Sequence, residues 1–108
     1  MLMLRRFLIL AGMTAAVAYQ TALAGEPTYK PPQGFVPNEK VAIAIAVAIW
    51  GPIYGAGQIA REKPYYAKLV NGVWWVSGSL PRGWSVGGVA EARIQKLDGR
   101  ILGVIHGQ

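Results

Sequence analysis

Val73–Gly88, VWWVSGSLPRGWSVGG, is the stretch around which the rest of the chain is organised. It carries three of the four tryptophans and no acidic residue, and it passes from an alternating, strand-like run into a Gly/Pro loop. Directly before it stands Asn71-Gly72, a strong short signal for a two-residue hairpin turn in which both central residues take positive φ. A hairpin closed there pairs Tyr65–Val70 with Val73–Leu80, setting Leu69 opposite Trp74 and Ala67 opposite Val76. Because side chains alternate along a strand, Trp74, Val76 and Leu80 share a core face with Leu69 and Ala67. Lys68, Trp75, Ser77 and Ser79 fall on the open face. Lys68 lies across from Trp75, in place for a cation–π contact of about 0.5–1 kcal/mol.

Alternation resumes after the loop. Val89–Lys96 sets Ala90, Ala92 and Ile94 against Glu91, Arg93 and Gln95. Leu97-Asp98-Gly99 marks a turn, and Arg100–His106 reads as a last strand. A two-residue turn would pair Ile94 with Gly103, whereas a three-residue turn bulged at Gly99 pairs Ile94 with Leu102. The bulged form is preferred because it sets apolar residues opposite one another.

Upstream lies the main helix. Asn38 suits an N-cap, and Glu39 suits the positive end of the helix dipole. At about 100° per residue, Ile43, Ile45, Val47, Ile49, Trp50 and Ile53 form one broad apolar arc. Ala44, Ala48 and Gly51 take the other side, and no charge occurs between Lys40 and Arg61. Pro52 predicts an end near Trp50, because it cannot donate a hydrogen bond and disfavours helical geometry at Gly51. Gln58–Pro64 then reads as a polar connection or a short helical piece. One helix followed by a four-strand antiparallel meander makes an α+β layer for residues 38–108.

The N-terminus reads as a secretory signal peptide, residues 1–24. Arg5 and Arg6 precede an apolar run from Phe7 to Ala18, and Ala22-Leu23-Ala24 offers an Ala-x-Ala cleavage site. That run is shorter than the roughly 20 residues a bilayer span requires. The expected product is an exported, periplasmic or secreted protein with no membrane attachment after cleavage. Residues 25–37, GEPTYKPPQGFVP, form a Pro/Gly-rich extended arm with Tyr29 or Phe35 as its docking residues. The formal net charge of the whole chain is +6. The basic residues are scattered rather than clustered, which together with export argues against a nucleic-acid reader.

Little in the composition suggests catalysis. There is one histidine, His106, and no cysteine, so zinc and Cys–His chemistry are set aside and no cofactor is expected. His106 belongs at a strand end, across from Glu91 or Ala90. Asp98 suits its turn and Glu39 its helix start, while Glu62 and Glu91 are placed on a polar connection and a solvent face. The loop Leu80–Gly88 lacks the pattern of a phosphate loop. It reads either as a wide turn tucked by Trp84 or as a contact tip bearing Arg82 and Trp84, residue types that anchor interfaces. The candidate partner-contact residues are therefore Lys68, Trp75, Arg82 and Trp84.

Taken in order, VPNEKVAIAIAVAIWGPIYG, KPYYAKLVNGVWWVSGSLPRG, Gly87-Gly88, IQKLDGRIL and the terminal HGQ resemble the bacterial immunity proteins assigned a nuclear-transport-factor-two fold. The resemblance runs from about Val36 to Gln108. Its most specific pieces are Ile53-Tyr54-Gly55, Lys63-Pro64-Tyr65, Trp74–Pro81, Gly87-Gly88, Asp98-Gly99 and His106-Gly107. It implies a reduced version of a cone-like fold and a protein partner, a toxin that this chain would bind and neutralise. Trp75 departs from the pattern where an aliphatic residue is expected, as does Gln108 where lysine is expected. Two other readings stand beside it. A small-ligand binder or structural envelope protein would need an enclosed pocket beneath Trp50 and Trp74. An isomerase-like enzyme would need a buried carboxylate, for which Glu62 is the one candidate.

Overall fold

A computed structural model describes residues 29–107; the signal peptide reading, the first residues of the arm and Gln108 lie outside the described residues. Helix α1 spans Glu39–Tyr54 and a short α2 spans Ala56–Ala60. Strands β1 (Tyr66–Val70), β2 (Val73–Ser77), β3 (Ala90–Gln95) and β4 (Ile101–His106) follow, forming one antiparallel sheet in the order β1-β2-β3-β4. The helix lies over β1, β2 and β3, so β4 projects beyond its main cover. This is the expected α+β layer, a helix on a four-strand meander.

The first hairpin follows the sequence reading. Asn71 and Gly72 both have positive φ, at 47° and 78°. Leu69 pairs with Trp74, Ala67 with Val76 and Lys68 with Trp75. Trp74 and Val76 are buried, but Leu69 is 43% exposed because it lies on an edge strand. Leu80 lies beyond the end of β2 and is half-buried.

The helix starts as expected, with the Asn38 side chain accepting from the Val41 N–H at 3.0 Å. It does not stop at Trp50. Pro52 sits inside it, and the helical pattern runs on to a Gly55 N–H bond to the Gly51 carbonyl at 2.8 Å. Proline removes one donor, whose acceptor would be Ala48, on the exposed side of the helix where water can serve instead. The buried seam is also narrower than the predicted arc. Ala42, Ala46 and Trp50, spaced four apart, are fully buried, while Ile53 is 58% exposed. The two alanines let the helix approach the sheet closely, and Ile43, Ile45 and Val47 pack half-buried around the seam.

The last hairpin takes neither predicted register. Ile94 pairs with Ile101 and Arg93 with Gly103, which leaves Leu102 as the extra residue. The turn spans four residues, with Gln95 N–H bonded to the Arg100 carbonyl and Gly99 at φ 78°. Its width has a visible cause. The carbonyls of Lys96 and Leu97 accept from the N–H groups of Val36 and Phe35, each at 3.0 Å, so the turn holds the arm. The arm docks through Val36, 1% exposed, whose carbonyl accepts from the Trp74 indole at 2.8 Å. Tyr29 and Phe35 stay exposed, because the arm lays its backbone rather than its aromatic rings on the turn. Gly34 is required there, since a Cβ would lie 2.5 Å from the Lys96 carbonyl oxygen.

Candidate functional site

Two places in the fold gather functional chemistry, and they differ in kind. The first is a buried knot centred on Glu62. Helix α2 ends at Ala60, and the following turn drives Glu62 inward until its side chain is fully covered. Glu62 Oε1 accepts the Ala90 N–H at 2.8 Å. Its Oε2 accepts from Gln58 at 3.1 Å and from His106 Nε2 at 2.7 Å. Arg61 donates to the other end of the Gln58 amide at 2.7 Å, which turns the amide N–H toward the carboxylate. The Glu62 backbone carbonyl accepts the Ser79 N–H at 2.7 Å. One residue thus ties α2, the exit of β2, the start of β3 and the end of β4.

His106 is matched to that role. Nε2 faces the Glu62 carboxylate and Nδ1 faces the Gly107 carbonyl at 2.9 Å, so both ring nitrogens meet acceptors and only the imidazolium can donate to both. Those contacts raise its pKa, led by the bond to Glu62. At Glu62, burial alone pushes the pKa upward. The bonds from Ala90, His106 and Gln58, with the imidazolium charge, outweigh burial and hold it below the ordinary value. The Tyr54 ring lies 5.1 Å from the imidazole, and Tyr65 Oη donates to the Ile59 carbonyl at 2.7 Å. Two close backbone approaches complete the knot. A Cβ on Gly78 would come within 2.7 Å of Glu62 Oε1, and one on Gly88 within 1.9 Å of the Gly107 carbonyl carbon.

A pH dependence follows from the pair. Glu62, with a lowered folded pKa, stabilises the fold above its ordinary value of 4.5 and loses that contribution as pH falls. His106, with a raised folded pKa, contributes fully below 6.5 and loses its contribution as pH rises through the folded value. Thermal melts across pH should therefore show a maximum contribution from the pair between those two values. His106→Gln should flatten the alkaline limb; an unchanged profile in that variant would show that the pair does not govern it.

The second place is the open face of the sheet. Cross-strand pairing sets Lys68, Trp75, Arg93 and Gly103 in one row and Tyr66, Ser77, Glu91 and Ile105 in the next. Trp75 is 43% exposed, and the Arg93 guanidinium carbon stands 4.0 Å from its ring centroid. The expected cation partner was Lys68. It is the Cα partner of Trp75 on the β1 side, but Arg93, on the β3 side, lays its flat guanidinium on the indole. Tyr66, Lys68, Trp75 and Arg93 border an open groove on this face. Of the predicted contacts, the structure therefore brings Lys68 and Trp75 together. Arg82 and Trp84 lie on the exposed connection between β2 and β3. There the Trp84 N–H closes a turn on the Pro81 carbonyl at 3.0 Å, while the ring remains 60% exposed.

The sequence places Glu62 on a polar connection, and as a buried group only in the enzyme reading, and it sets His106 across from Ala90 or Glu91; the structure buries Glu62, pairs it with His106 and sets His106 opposite Ala90. A usable signal was present. His106 has the parity of the core face, and a lone histidine there needs a polar partner; Glu62 was an acid that no local feature explained.

Residues 41–108 match a family model described as NTF2 fold immunity protein. The chain is also similar to an uncharacterized protein, YhhH, of Escherichia coli (strain K12), at 33% identity over 76 residues. That match spans 70% of this chain and 60% of the relative's length. No solved structure matches.

Proposed function

The chain belongs to the NTF2 fold immunity protein family, and from that premise we propose that it is an exported antidote that binds and neutralises a bacterial toxin through the open face of its sheet. The observation that carries this reading is the half-exposed Trp75 held under the Arg93 guanidinium, with Lys68 and Tyr66 beside it. Trp, Tyr and Arg dominate the energetics of protein interfaces. A pair already stacked loses less side-chain freedom on binding. Lys68 and Arg93 face outward from a chain of net positive charge, which suits an acidic patch on the toxin. Arg82 and Trp84 extend the contact from the neighbouring loop. Arg5-Arg6, the apolar run after them and Ala22-Leu23-Ala24 support export, so the encounter takes place outside the cytoplasm.

The enzyme reading has its buried carboxylate, but Glu62 is spent on three hydrogen bonds and its pKa is lowered. A buried base or acid working near neutral pH needs the opposite shift. A ligand pocket under Trp50 and Trp74 is disfavoured too, because their indole N–H groups are committed to the Glu91 and Val36 carbonyls.

Co-expression with the product of the neighbouring reading frame tests the proposal. The full chain should restore growth, and the Trp75→Ala, Arg93→Glu double variant should not, while its melting curve stays close to the parent's. Growth arrest despite the full chain, or equal protection by the double variant, would refute it.

A further inference from the structure

The edges of the sheet are unlike each other. β1, at one side, carries Lys68 at its centre, a charge that discourages a further strand from pairing there. β4, at the other side, reads ILGVIH, with no Lys, Arg, Asp, Glu or Pro, and it projects beyond the helix. The Gly107 N–H bonds to the Val89 carbonyl, so by antiparallel alternation Gly103, Ile105 and Gly107 turn their backbone groups toward β3. Those of Leu102, Val104 and His106 face outward, and among the described residues no strand pairs with them.

We infer that β4 is a homodimer edge, taking β4 of a second copy of this chain in antiparallel register about a two-fold axis at Val104. That axis sets Val104 opposite its own mate and Leu102 opposite the mate's His106, joining all three outward-facing residues. The side chains fit the same register. Ile105, 55% exposed on the open face, falls opposite Gly103 of the second copy, where a Cβ would meet nothing within 4 Å. A branched side chain therefore meets a vacancy, twice by symmetry. On the opposite face Leu102, 45% exposed, comes to lie over the imidazole of the mate's His106, whose side chain is 23% exposed. Its placement would finish covering the Glu62–His106 pair. No charge opposes its like along the joined strands, whereas a two-fold at β1 would set Lys68 against Lys68. The interface is isologous, as a closed dimer requires, and the joined sheet has eight strands. The open face stays free for a toxin, so this inference stands apart from the proposed function.

Sedimentation equilibrium of protein purified from cells expressing the full chain tests it. The expected mass is twice that of the denatured polypeptide. Ile105→Lys brings a cation beside the mate's Arg93 and should weaken association at least tenfold, with circular dichroism unchanged. The chain has no cysteine, so a single introduced one reports register. Oxidised Val104→Cys should cross-link into dimers and Lys68→Cys should not. A monomer at every concentration, a dimer indifferent to Ile105→Lys, or cross-linking through position 68 instead of 104 would overturn the inference.

Discussion

Glu62→Ala should destabilise the protein by about 3–5 kcal/mol, the cost of breaking one side of a buried charge pair. The carboxylate is fully covered and accepts three hydrogen bonds from three different segments. Its removal leaves the Ala90 N–H without its side-chain acceptor and His106 without its counter-charge. The affected segments are the start of β3 and the end of β4, so the damage should spread along the β3–β4 pair. A domain this small has a stability near the low end of about 5–15 kcal/mol, so the variant should retain only about 0–2 kcal/mol. Glu62→Gln separates charge from shape: it keeps an acceptor for Ala90 but loses the ionic bond to His106. It should fold with a smaller loss, and urea unfolding of the two variants gives the comparison. Equal stability of Glu62→Ala and the parent would show that the knot contributes nothing to the fold.

Trp50→Ala should cost a comparable amount, about 3–5 kcal/mol. The side chain is fully buried, its ring centroid lies 5.9 Å from that of Tyr65, and its indole N–H donates to the Glu91 carbonyl at 3.2 Å. It is the one large side chain in the Ala42–Ala46–Trp50 seam, so the two alanines cannot collapse into the void it leaves. Trp50→Phe keeps most of the packing and forfeits the hydrogen bond, worth about 1 kcal/mol. Urea midpoints should fall in the order parent, Trp50→Phe, Trp50→Ala; a midpoint for Trp50→Ala matching the parent would contradict the placement of this residue at the core.

These two residues also show how far the sequence reaches. Trp50, the hairpin at Asn71-Gly72 and the register of Trp74 follow from local periodicity and turn chemistry, which act over a few residues. The Glu62–His106 bond joins positions 44 apart in the chain and depends on where α2 delivers its last turn. Local patterns do not encode such a meeting. The spaced pieces of the family resemblance nonetheless converge on it: Tyr54, Tyr65, Gly78, Gly88 and His106-Gly107 all pack at or beside the knot. On the open face, Lys68 and Trp75 were legible from the hairpin alone. Arg93 is not legible from the first hairpin, which places only the β1 neighbours of Trp75, whereas the stacking partner lies on β3. The turn at Lys96–Gly99 differs from expectation because the arm uses its carbonyls, and the arm's docking through Val36 has no periodic signal.

The decisive measurement is titration calorimetry of the purified product of the neighbouring reading frame against the parent and its open-face variants. A saturable complex with the parent is expected. Trp75→Ala should lose about 2 kcal/mol or more of binding energy, roughly thirty-fold in affinity, as truncating an interface anchor does. Arg93→Glu should lose at least as much, and raised salt should weaken the parent complex. Affinities left unchanged by both substitutions, or no binding by the folded parent, would contradict binding through the open face.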